Sequence, residues 1–164
     1  MASAQLMQSS MNYQIPIIRL TLVRENQSSR AVSINSPTDI ARFLSPLRTA
    51  AEEHFVSVHL NAKSEVIGLH EVSHGTLSSS LVHPREVFKA ALLSNSYAII
   101  VCHNHPSGSM IEPSPEDFDT TKQLLLAGKL LGVALVDHLI VGPVEPKDGF
   151  YSFREHYPDI WDAP

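Results

Sequence analysis

Two histidines one residue apart, His103 and His105, close the apolar run Ala98-Ile99-Ile100-Val101-Cys102, and an aspartate, Asp117, follows in the stretch Ser114-Pro115-Glu116-Asp117. Imidazole and carboxylate are the groups from which catalytic zinc sites are built, three protein ligands with a fourth position left for water. His103, His105, Asp117 and one water satisfy that rule. The chemistry such a set supports is hydrolysis by an activated water.

The elements that must position these groups are legible around them. Ala98 to His103 is short, apolar and largely β-branched, which reads as a buried strand. Side chains alternate along a strand, so His103 and His105 share one face while Cys102 and Asn104 face the other. Pro106 and Gly108 end the strand. Ser114 then caps a helix, with Pro115 at its first position and Asp117 three residues after the cap. Apolar spacing through Phe118, Leu124, Leu125, Leu126 and Leu131 carries that helix to Gly132. A rigid element thus delivers an oxygen ligand near the mouth of the strand. The plainer reading makes Asp117 only a capping residue; the conjunction of His-x-His, a Pro-Ser-Gly loop and Ser-x-x-Asp is what points to a metal.

That conjunction resembles the JAMM signature of the JAB/MPN metallopeptidase family. The wider text, Val82-His83-Pro84-Arg85-Glu86-Val87-Phe88-Lys89, His103 to Gly108, and Asp137-His138-Leu139-Ile140-Val141-Gly142, is similar to the RadC branch over roughly residues 35–155. The resemblance implies a three-layer α/β/α domain of the cytidine-deaminase-like kind, with a central mixed sheet flanked by helices. It implies zinc held by His103, His105 and Asp117, an oxyanion held with help from Ser114, and an upstream glutamate as general base. Glu53, at a strand entrance after the first helix, matches that glutamate's setting; Glu71, near the end of the next strand, competes, and Glu52 or no base at all are the remaining choices. The activity implied is cleavage of a peptide or isopeptide bond in a peptide or protein substrate. A non-catalytic zinc-binding interaction module, or a DNA-repair or mobile-element-associated role, are the alternatives.

Composition bounds these readings. The chain has 164 residues, 43% of them hydrophobic, a formal charge of −5 and one cysteine. That length suits one domain with a real core. Net negative charge argues against a sequence-independent grip on nucleic acid, which needs clustered Lys and Arg. One cysteine rules out an internal disulfide framework, and with no apolar run of membrane-spanning length and no secretory signal a cytoplasmic location is expected. It also rules out a nucleobase deaminase, which needs Pro-Cys-x-x-Cys. The contiguous His-Asn-His triplet is not the dispersed motif of HNH nucleases.

The rest of the chain supplies scaffold. Residues 1–11 read as a disordered tail, 12–34 as an added edge-strand pair, 35–155 as the metal-binding domain and 156–164 as a second tail. Ser36-Pro37-Thr38-Asp39 opens a helix, residues 52–60 read as a half-buried strand whose apolar members at 56, 58 and 60 alternate, 65–72 return as its hairpin partner, and Pro84 opens an amphipathic helix. His54, His59, His70 and His74 are expected to be surface or partner-bonded residues. His83 shows no route to the metal, and Asp137 or His138 could orient a ligand from behind. Cys102 reads as a small core residue. Tyr151 and Phe153 are expected to close the core.

Overall fold

The computed structural model describes residues 18, 21, 32–75, 82–106, 111–142 and 149–162. Ser36, Pro37 and Asp39 start the first helix, α1 (Pro37–Phe43): the Ser36 hydroxyl accepts from the Asp39 amide, and Pro37 takes the first position, where a missing N–H is harmless. Pro46 does not end helical structure outright; a 3₁₀ turn, Ser45–Thr49, follows directly. Strands β1 (His54–Leu60) and β2 (Val66–His74) then form the hairpin. α2 (Pro84–Leu93), β3 (Ala98–Asn104), α3 (Pro115–Leu131) and β4 (Ala134–Val141) come next. The short β5 (Phe150–Ser152), α4 (Phe153–His156) and α5 (Asp159–Asp162) end the described chain.

The five strands make one mixed sheet in the order β2-β1-β3-β4-β5. Only β3 and β4 run parallel; the other neighbours are antiparallel. α3 makes the crossover between the parallel pair, the connection that parallel strands require. Each face of the sheet carries its own core. Val56, Val58, Leu60, Ile100, Cys102, Leu139 and Val141 pack with Ile40, Ala41 and Leu44 of the α1 segment. Phe55, Ile99, Val101 and Leu135 pack with Val87 and Phe88 of α2 and Leu124 of α3. The result is a three-layer α/β/α sandwich, as the sequence led one to expect.

β1 departs from its expected half-burial. Phe55 through Leu60 are all buried, because the strand lies between β2 and β3 with helices over both faces. Its polar members are therefore interior groups: His59 is only 3% exposed and places Nδ1 2.9 Å from Ser94 Oγ. Cys102 is fully buried in the α1-side core, away from His103. Phe153 is fully buried and Tyr151 half-buried.

Most of the edge pair expected over 12–34 lies outside the described residues; Ser33 makes a single antiparallel bridge to Glu65. Beyond residue 156, α5 places Trp161, whose indole N–H donates to the Leu135 carbonyl at 2.9 Å. Among the described residues no helix is long and apolar enough to cross a membrane.

Candidate metal centre

The centre forms where β3 ends against the start of α3. β3 terminates at Asn104, and the next residue is tied to the neighbouring strand by its backbone, His105 N donating to the Val141 carbonyl at 3.1 Å. That bond holds the strand's direction for one more residue. The two imidazoles meet as the alternation requires, His103 Nε2 lying 3.0 Å from His105 Nε2. Asp117 Oδ1 lies 3.2 Å from His103 Nε2, while the ligand atoms that come within 4.8 Å of one another are those of Glu53, His103 and His105.

Asp117 serves two elements at once. Its Oδ2 accepts from the Ser114 amide at 2.8 Å and from the Ser114 hydroxyl at 2.7 Å, while its own amide donates to Ser114 Oγ at 3.2 Å. This reciprocal capping box fixes the carboxylate and leaves Oδ1 turned toward His103. The Ser114 proton is directed at Asp117 and not into the cleft, so the arrangement shows its capping role alone.

Glu53 joins the histidines. Ligand atoms of Glu53, His103 and His105 all lie within 4.8 Å of one another. The backbone that carries it is clamped on both sides by Asn104, whose side-chain oxygen accepts from the His54 amide at 2.8 Å and whose NH₂ donates to the Glu52 carbonyl at 2.9 Å. The Glu53 carbonyl in turn accepts from the Gly75 amide at 3.0 Å. Burial raises the Glu53 carboxyl above its ordinary range; the nearby His105 lowers it and Asp117 raises it further. A carboxyl held this way is suited to taking a proton.

Glu71 and Glu52 go elsewhere. Glu71 Oε1 pairs with His54 Nδ1 at 2.5 Å, and Glu52 Oε2 with His74 Nε2 at 2.5 Å. The pairing shifts between Phe55 and Val56, which face Ser73 and Glu71, so Val72 is the extra residue of a bulge. The bulge brings Glu71 to the side of His74. His54, Glu71 and His74 form a second, more exposed group of ligand atoms within 4.8 Å, but each imidazole there already has a carboxylate. The run His70-Glu71-Val72-Ser73-His74 spells His-Glu-x-x-His, yet it lies on a strand, where its histidines have different neighbours: His74 stacks on His54 and His70 lies near His59. The helical geometry that gives that motif its meaning is absent.

Behind His103 stands His138, fully buried, its Nε2 2.9 Å from His103 Nδ1 and its Nδ1 2.7 Å from Thr121 Oγ1. Burial pushes His103 down to about 4 and His138 well below the ordinary histidine value, with neighbouring imidazoles adding to the shift. Of the two residues Asp137 and His138, only His138 touches a candidate ligand. Asp137 faces the other way, accepting from the Ser152 hydroxyl at 2.6 Å and from the His138 and Arg154 amides, so it anchors β5 and α4. Sequence reasoning also missed Thr121 and Asn104. The polar Thr121 at a buried turn of an otherwise apolar face was the available signal for one; nothing in the spacing announced the other.

The donor set suits a tetrahedral divalent cation. With zinc-to-ligand distances of roughly 2.0–2.2 Å, neighbouring ligand atoms of a tetrahedral site stand about 3.3–3.6 Å apart, somewhat wider than the 3.0 and 3.2 Å found here.

Comparison with known proteins agrees with this architecture. Residues 34–157 match the family model described as the RadC-like JAB domain. A UPF0758 protein of Clostridioides difficile is 50% identical over 125 residues, 75% of this chain and 51% of the relative. One from Shouchella clausii is 50% identical over 134 residues, covering 80% and 55% respectively. One from Staphylococcus haemolyticus is 44% identical over 128 residues, covering 75% and 56%. The chain spans about half the length of these curated relatives. With a five-stranded mixed sheet between helices and a His/Glu cluster at the end of its central strand, the chain belongs to the RadC-like JAB domain family.

Proposed function

We propose that this chain is a zinc-dependent hydrolase of the JAMM type that cleaves peptide or isopeptide bonds, with His103, His105 and Asp117 as metal ligands and Glu53 as general base. The observation that carries the reading is that His103 Nε2 lies 3.0 Å from His105 Nε2 and 3.2 Å from Asp117 Oδ1, with a Glu53 carboxylate oxygen within 4.8 Å of both histidines. Zinc bound by these residues would supply a water nucleophilic at neutral pH and would polarise the scissile carbonyl. Glu53 accepts the proton at its carboxylate and returns it to the leaving amine, a task favoured by a carboxyl raised through burial. Ser114, on turning its hydroxyl from Asp117 toward the cleft, donates to the developing oxyanion. Ligation by Glu53 itself is the competing use of that carboxylate, and a Gln variant separates the two.

Glu53→Gln is expected to bind zinc as the wild type does while hydrolysis of a peptide substrate falls about 10²- to 10⁴-fold, the usual contribution of a general base. Unchanged hydrolysis would remove Glu53 from the mechanism. Loss of zinc would make it a ligand.

A further inference from the structure

His138 and Thr121 form a buried hydrogen-bonded path that ends on His103, and its direction can be worked out from one end. β4 is the parallel neighbour of β3, with His138 opposite Val101, so the His138 imidazole comes to stand behind that of His103. Thr121 lies on α3 one turn after Asp117, so the helix that presents the carboxylate also supplies the hydroxyl. Phe153 stacks on the His138 ring at 4.8 Å and 10°, and Phe55 on the His103 ring at 5.9 Å and 8°, which fixes both ring planes.

Thr121 has one proton to give. Its Oγ1 lies 2.6 Å from the Asp117 carbonyl oxygen, which can only accept, so the proton goes there. His138 Nδ1, 2.7 Å from the same Oγ1, must then be the donor. His138 is fully buried between a hydroxyl and a second imidazole, and a cation in that place would lack a hydrogen-bonded counter-charge, so the ring is neutral. A neutral ring protonated at Nδ1 keeps its lone pair at Nε2. His103 Nδ1, 2.9 Å away, must donate to it.

We propose that Thr121 and His138 are positioning residues that hold a His103 proton on Nδ1 and thereby leave Nε2 as the ring nitrogen turned toward His105 Nε2 and Asp117 Oδ1. Use of Nε2 as a ligand rests on the metal-centre reading; the proton on Nδ1 does not. Zinc-bound imidazoles commonly donate their other N–H to a carboxylate, a carbonyl or water. Here a second histidine takes that place, with a threonine setting its tautomer in turn.

Two-bond ¹H–¹⁵N correlation spectra of the metal-free full chain, labelled with ¹⁵N-histidine, report which ring nitrogen carries the proton. His138 is expected to show protonated Nδ1 and bare Nε2, and His103 a protonated Nδ1. Thr121→Val, which keeps the shape and removes the hydroxyl, is expected to lose the His138 pattern and to weaken binding of zinc alone about 10- to 100-fold, with Thr121→Ser restoring both. A wild-type His103 with a bare Nδ1 would overturn the proposal without any variant having to fold. So would Thr121→Val with wild-type tautomers and wild-type zinc affinity. A wild type that shows the expected tautomers but takes up no zinc would uphold the hydrogen-bonded path and overturn the metal reading, so the two failures are distinguishable.

Discussion

Asp117 is where two readings of one residue turn out to be compatible. From spacing alone, Ser-x-x-Asp before an apolar run is a capping box, and a carboxylate beside His-x-His is a ligand. The two oxygens divide the work: Oδ2 closes the cap and Oδ1 faces His103. The cap and the approach to His103 are therefore one orientation of one side chain. Ser114→Ala should remove the hydroxyl that accepts from the Asp117 amide while leaving the backbone bond from residue 114 to Oδ2. We expect a loss of about 1 kcal/mol in denaturant unfolding, zinc content near wild type, and, if the hydroxyl turns to assist the oxyanion, a fall in hydrolysis of about 10²- to 10³-fold. Loss of zinc together with stability would show that the hydroxyl is needed to place Asp117. The ligand candidates were legible because each sits at a local signal, a strand end or a helix cap. Asn104 and Thr121 were not, because their roles lie with residues about fifty positions away and on the next strand.

At the scale of elements, α3 was the most legible. Its Ser-Pro start and its glycine stop are local chemistry: Gly132 adopts φ +70°, the left-handed conformation that glycine takes without strain. A second glycine, Gly128, was silent in the sequence and has a packing role, since a β-carbon there would lie 2.5 Å from the Val133 carbonyl and 3.2 Å from Phe88. That close approach lets α3 lie against α2 and turn directly into β4. β1 was misjudged for the opposite reason. Its alternation of Val56, Val58 and Leu60 with Ser57 and His59 describes a strand with one wet face, and only the sheet order, with β1 inside β2 and covered by helices, explains why the polar positions are interior too. The bulge that turns Glu71 to His54 likewise depends on the register of a partner strand. Periodicity reports which element forms and not what comes to lie beside it.

For the molecule as a whole, the layered class followed from the alternation of strands and helices, whereas the strand order and the single parallel pair did not. Burying several histidines in such a small domain has a consequence for stability. Burial pushes His59 down to about 4 and lowers His70, where the nearby Lys89 adds to the effect. In the unfolded chain histidine titrates near 6.5. On acidification the unfolded state therefore binds these protons first, so their contribution is complete above about pH 6.5 and is lost as the pH falls below it, for His59 toward about 4. Glu53 and Asp137, both raised by burial, act in the opposite sense. Thermal unfolding of the metal-free protein is expected to move to lower temperature between pH 7 and pH 4.5, and His59→Asn to flatten that dependence. A melting temperature equally pH-sensitive in the variant would take His59 out of the balance.

The most direct test of the metal centre is elemental analysis of protein purified without a polyhistidine tag, with wild type beside Asp117→Ala after equilibration with a weak chelator. The geometry predicts about one zinc per chain in the wild type and little in the variant. Equal and negligible zinc in both would contradict it, leaving Asp117 as a helix cap and making a metal-independent interaction module the better account of the chain.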